Sequence, residues 1–230
     1  RLLFLVNPQA LFIGISILVV ALYIRGISIL KARGDTWPIG RTIAFACAIA
    51  AMNYVTSGGL GVYAYFAFSY HMISHMILAT IVPIGFVLSA PITLALRSLP
   101  QGRTKTERGI RGTLVAALHS RVAGILVSPI VALLLFDGTL FVLYFTSLYG
   151  GMMQSHTGHF FMDIHFLLSG FLFFHVIIGV DPNPKRVPHL ARIVVRCATM
   201  AIKAFCSVAL RASDPVQGGG VLRSFRVLWH

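Results

Sequence analysis

The chain has 230 residues, of which 57% are hydrophobic and only 11% charged, with a mean hydropathy of +0.84. A soluble globular domain carries about 25% charged residues, and no water-soluble core needs a run free of Asp, Glu, Lys and Arg as long as Thr42 to Leu96; two crossings of a ~30 Å hydrocarbon slab do. A formal net charge of +13 would suggest a nucleic-acid partner in a soluble protein, but here the basic residues lie between apolar runs, where the positive-inside rule accounts for them and no nucleic acid is expected.

Read in chain order, the sequence predicts an all-α, polytopic transmembrane bundle of about six spans embedded in the lipid bilayer. It opens at Arg1, without Met, on an apolar scrap Leu2–Val6, so the N-terminus reads as clipped. The first span covers Leu11 to Leu30, with Arg25 placed to snorkel, and the second Thr42 to Tyr54. After a turn at Thr56-Ser57-Gly58-Gly59, a long third span runs from Tyr65 to Leu96, with a kink or break expected at Pro83 or Pro91. A basic stretch, Arg97 to Arg121, precedes the fourth span, Val122 to Phe145; the fifth is Gly158 to Val180 and the sixth Leu190 to Leu210. Residues 1–215 form the transmembrane domain, and 216–230 a Gly-rich, basic tail that reads as truncated. Cys47, Cys197 and Cys206 lie far apart in apolar segments and match neither a CxxC nor a zinc spacing.

Loop charges give the orientation. Lys31, Arg33 and Arg41 join spans one and two, six basic residues join three and four, and Lys185, Arg186, Arg192 and Arg196 surround the five–six connection. The alternate loops, Thr56–Tyr63 and Ser147–Ser155, carry no charge. Basic loops are cytoplasmic, so the first span starts outside the plasma (inner) membrane.

Ionisable side chains in a membrane are costly and mark function. His71 and His75, at i and i+4, share one helical face at the outer start of span three, beside Met72 and Met76. His156, His159 and Asp163, at i, i+3 and i+7, share a face at the outer start of span five, beside Met152, Met153, Met162 and His165. Neutral imidazole binds copper, zinc and haem iron, and thioether sulfur favours Cu(I). Asp163 is placed to accept the second N–H of His159 and fix its tautomer, and Asp137 falls in the outer third, where it could join the same site. His175, His119 and His189 read as structural or solvated. No catalytic triad, P-loop or paired acid and base is present, so the chain does not read as an enzyme.

These residues also carry a resemblance. Trp37-Pro38 with Arg41, His71-Met72-x-x-His75-Met76, and Ala90-Pro91-Ile92-Thr93-Leu94-Ala95-Leu96-Arg97 resemble the CtaG-type cytochrome c oxidase assembly proteins of bacterial membranes. So do Leu143-Tyr144-Phe145-Thr146, His156-x-x-His159-x-x-Met162-Asp163-x-His165-Phe166-Leu167-Leu168, and Gly179-Val180-Asp181-Pro182-x-Pro184, in the family's order across residues 8 to 215. The resemblance implies a multi-pass factor that assembles haem–copper oxidases, with cytochrome c oxidase subunits as partners and copper as its cargo. It carries a metal-ligand role to His71, His75, His156, His159 and His165, with Met72, Met76 and Met162 as soft ligands. In the sixth span Lys203 stands where the family pattern has a histidine and Ser207 where it has a glycine, and a further helix expected after the tail is absent. The alternative is a b-type haem protein, with one histidine from each of spans three and five on the iron.

Overall fold

The computed structural model describes residues 8–58, 73–100, 109–139, 141–142, 156–181 and 192–202, and the side chains among them other than those of residues 8–10, 156, 157 and 159. Every regular element among these residues is helical. Four helices are long and apolar enough to cross a membrane: Leu11–Ala32 within α1 (Pro8–Ala32), α2 (Ile39–Thr56), α3 (Ile73–Ser98) and Phe160–Ile178 within α7 (His156–Ile178). They match the expected spans one, two, three and five.

The expected fourth span is not one continuous helix. It is divided into α5 (Arg121–Leu126) and α6 (Pro129–Gly138), and a further helix, α4 (Ile110–Leu118), lies before it within the basic stretch. The break before α6 follows from Pro129, which pushes Ser128 out of the helical region to ψ 133°. Of the expected sixth span, a helix over residues 192–202 (α8) is described; Lys203, Cys206 and the tail lie outside the described residues.

α1 stops where Gly34 takes φ +78°: Gly34 N–H donates to the Lys31 carbonyl and Asp35 N–H to that of Leu30, closing the last turn. α1 and α2 then pack through Tyr23 and Phe45, stacked at 3.8 Å between ring centroids, and through Ser16, whose hydroxyl lies 3.2 Å from Asn53 Oδ1. α2 buries a stripe of Phe45, Ala48, Met52 and Val55. Its small residues let α3 approach so closely that a Cβ on Gly85 would stand 2.8 Å from that of Ala48.

α3 carries both irregularities that its prolines predict. Pro83 has no N–H for the Ala79 carbonyl, and the turn before it widens into a π segment, Ile77–Ile81, in which Val82 N–H reaches the Ile77 carbonyl. Before Pro91 the helix breaks at Ala90, which sits in the left-handed region at φ 50°.

α7 organises the rest. It packs on α3 and α6, and an apolar core of Ala79, Ala132, Phe136, Met162, Phe166, Phe173, Val176 and Ile177 fills the space between them. Phe136 stacks on Phe173 while Thr139 meets His165, so α6 runs antiparallel to α7. α3 and α7 run parallel: His75 meets Asp163, Gly170 lies against Ala79 and Pro83, and Thr93 meets Asp181. The first and last of these contacts share an offset of 88 residues, so the two helices keep register along their whole length. From Asp163 to Asp181 the rise is roughly 27 Å at about 1.5 Å per residue, close to a hydrocarbon thickness.

Candidate metal site at one end of the helix pair

The first of these contacts is buried and ionisable. His75 Nδ1 lies 3.1 Å from Asp163 Oδ1, and the two residues are 5% and 8% exposed. His75 sits in the last α-helical turn of α3 before the π segment, and Phe166, one turn on from Asp163 along α7, covers the imidazole at 5.3 Å between centroids. A carboxylate at Nδ1 favours the tautomer with its proton there, which leaves Nε2 with a lone pair. A neutral imidazole oriented in this way is a ready ligand for a soft or borderline metal ion.

The carboxylate of Asp163 meets His75 across the helix interface, a partner the sequence did not suggest; the expected contact with His159 falls on a side chain outside the described residues. His159 and His156 lie on α7 one and two turns towards its start, at positions that share Asp163's face; their side chains, like all of His71 and Met72, lie outside the described residues.

The remaining candidates are placed elsewhere. His165, two positions beyond Asp163, is turned to α6, where its Nε2 is 3.0 Å from Thr139 Oγ1. That hydroxyl donates its one proton to the Leu135 carbonyl, so it accepts from His165 Nε2–H. Met162 is packed in the apolar core beside Phe136 and Ala132. Met76 is 45% exposed, along a shallow apolar groove with Ile73, Ile77, Thr80 and Ile81. Asp137 is buried in a second π segment, Leu134–Gly138. Among the described residues no three His, Cys, Asp or Glu side chains come together as a metal cluster. His175 is buried against Phe171 rather than solvated, and among the described residues its Nδ1 has no hydrogen-bond partner. His119 contacts the Val115 carbonyl at the end of α4.

The other end of the helix pair holds a polar clamp that sequence reasoning left without a role. Asp181, 3% exposed, accepts from Thr93 N–H at 2.9 Å, from the Thr93 hydroxyl at 2.6 Å and from Ile92 N–H at 3.4 Å. It caps the second half of α3, which Pro91 starts without a side-chain cap of its own, and a carboxylate there also complements the helix dipole. The chain reaches this position because Gly179, at φ +62°, ends α7 two residues earlier. The signal in the sequence was an acid two residues after a helix-ending Gly, but its partner lies 88 residues away.

Apolar membrane helices around a buried carboxylate–imidazole pair define a polytopic membrane protein with an intramembrane polar site. The chain matches the model of the cytochrome c oxidase caa3 assembly factor (CtaG) family over residues 21–230, and it belongs to that family. It is 40% identical over 207 residues to an uncharacterised protein of Mycobacterium tuberculosis, and to one of Mycobacterium bovis at the same level; the match covers 90% of this chain and 31% of each relative. An uncharacterised Mycobacterium leprae protein is 37% identical over 225 residues, which is 98% of this chain and 33% of that protein. The chain thus spans only a third or less of the length of these curated relatives. No solved structure matches it.

Proposed function

We propose that this chain is a membrane-embedded assembly factor that holds copper at the extracytoplasmic face of the plasma membrane and passes it to cytochrome c oxidase. The observation that carries the reading is the buried His75–Asp163 pair, at the end of two parallel helices where both histidine clusters begin. His75 supplies an oriented imidazole, and His71, His156 and His159 are the further ligands expected from their spacing. Asp163 acts through His75, holding its ring and tautomer. Two or three nitrogen and sulfur ligands suffice for Cu(I), which exchanges readily between such sets, and that suits cargo that must be released. The opposite end of the helix pair carries Arg33, Arg41 and Arg97, which the positive-inside rule assigns to the cytoplasm. The family's assembly role is non-catalytic, and no reaction is assigned to the site.

Metal and haem analysis of the purified protein tests this directly. Native protein is expected to carry stoichiometric copper and no Soret band, and His75→Ala with His159→Ala to lose the copper. Each single variant should weaken binding, and the double should cost less than the sum, because one loss already opens the shared site. One haem per chain, or full copper retention in the double variant, would overturn the copper reading.

A further inference from the structure

At the arginine-bearing end of the bundle, two guanidinium groups converge on one indole and a third lies beside them. Arg41, in the first turn of α2, lies 4.9 Å from the Trp37 ring centroid, and Arg97, in the last turn of α3, lies 5.9 Å from it. Trp37 is fixed by its own Nε1–H, which donates to the Tyr23 hydroxyl at 3.1 Å. Arg33 donates to the carbonyls of Arg97 and Ser98 at 2.9 and 3.3 Å, tying the end of α3 to the α1–α2 connection. The carboxylate in this group is Asp35, 3.2 Å from Arg97; among the described residues Arg41 has no acidic partner. One carboxylate among three guanidinium groups leaves this corner net positive, and Arg41 in particular favours a further anion.

Trp is enriched at the membrane–water interface, and Thr93, which the Asp181 clamp holds four residues before Arg97 on α3, is about a hydrocarbon thickness away from His75. The cluster is therefore at headgroup level, where the abundant anions are lipid phosphates. Guanidinium matches phosphate oxygens two at a time, and Trp37 holds Arg41 by cation–π attraction without using its N–H donors. The geometry points to a binding site for the phosphate of an acidic phospholipid, formed by Arg41 and Arg97 on Trp37. It is independent of the copper site and stands or falls separately from it.

Trp37 is its own reporter. The sequence has two tryptophans, so Trp229→Phe leaves Trp37 as the single tryptophan of the full chain, excited selectively over the tyrosines. Reconstituted in phosphatidylcholine vesicles, it should be quenched several-fold more by brominated phosphatidylglycerol than by brominated phosphatidylcholine at equal mole fraction. Arg41→Gln should abolish that preference and Arg41→Lys should at least halve it, whereas Arg121→Gln, which removes the same charge elsewhere, should leave it intact. Quenching by phosphatidylcholine serves as the measure of folding in each variant. Equal quenching by the two lipids in the native background, or an unchanged preference in both Arg41 variants, overturns the site. So does loss of the preference on adding free glycerol phosphate at millimolar concentration, which would make the ligand a soluble phosphate.

Discussion

A carboxylate beside an imidazole inside a bilayer is costly to bury and persists where its geometry is used. Asp163 touches the ring nitrogen of His75 that would not face a metal, so its contribution is orientation and basicity. Outer partners of this kind are worth about 10–100-fold in metal affinity. Asp163→Asn keeps shape and hydrogen-bonding capacity but removes the charge. Copper affinity measured by competition with a Cu(I) chelator is expected to fall within that range, with the helical circular dichroism spectrum unchanged. His165→Ala, turned to Thr139 on α6, should change affinity less. If the two substitutions have equal effects, Asp163 has no special relation to His75.

At the level of helices, the site depends on how closely α3 and α7 approach. A Cβ on Gly170 would stand 2.2 Å from the Ala79 carbonyl oxygen and 2.9 Å from Pro83 Cγ, so even alanine must push backbone away from backbone. Gly170→Ala is expected to lower stability by roughly 1–3 kcal/mol, the usual cost of overpacking, and to weaken copper binding by separating His75 from Asp163. Gly124→Ala, in open space, should do neither, and thermal melting in detergent read beside copper affinity checks both. Hydropathy made the four long helices legible, because a bilayer demands about 20 apolar residues whatever the tertiary contacts. The break at Ala90 and the widened turn before Pro83 were likewise readable from proline alone. The interruption at Ser128 was missed because an apolar run was allowed to outweigh the proline within it. The partners of Asp163 and Asp181 were not legible at all: helical spacing shows which residues share a face, whereas the register between two helices is set by packing at places such as Gly170.

For the whole molecule, the arrangement of charge predicts orientation. The arginine cluster and the His75–Asp163 pair lie at opposite ends of α3. Cysteines introduced near Gly59 and Gly151 should react with an impermeant maleimide on intact cells, and one near Thr106 should not; these expectations rest on loop charge, since the three positions lie outside the described residues. Labelling at Thr106 from outside would invert the protein and put the His75–Asp163 pair on the cytoplasmic side.

Two parallel neighbours in a membrane cannot be joined by a short turn, because the chain must first return across the bilayer, and the antiparallel α6 lies on that return path. The constant 88-residue offset between α3 and α7 consequently has a meaning in time. At about 5–20 residues per second of synthesis, His75 is made on the order of ten seconds before the carboxylate that will face it exists. The first half of the chain can therefore insert and pack, with α1, α2 and α3 already in contact, while the carboxylate–imidazole pair is still unmade. The His75–Asp163 contact arrives late and all at once, when α7 slots in beside α3, so under the proposed function an interrupted nascent chain would leave a membrane-inserted fragment without the site proposed for copper.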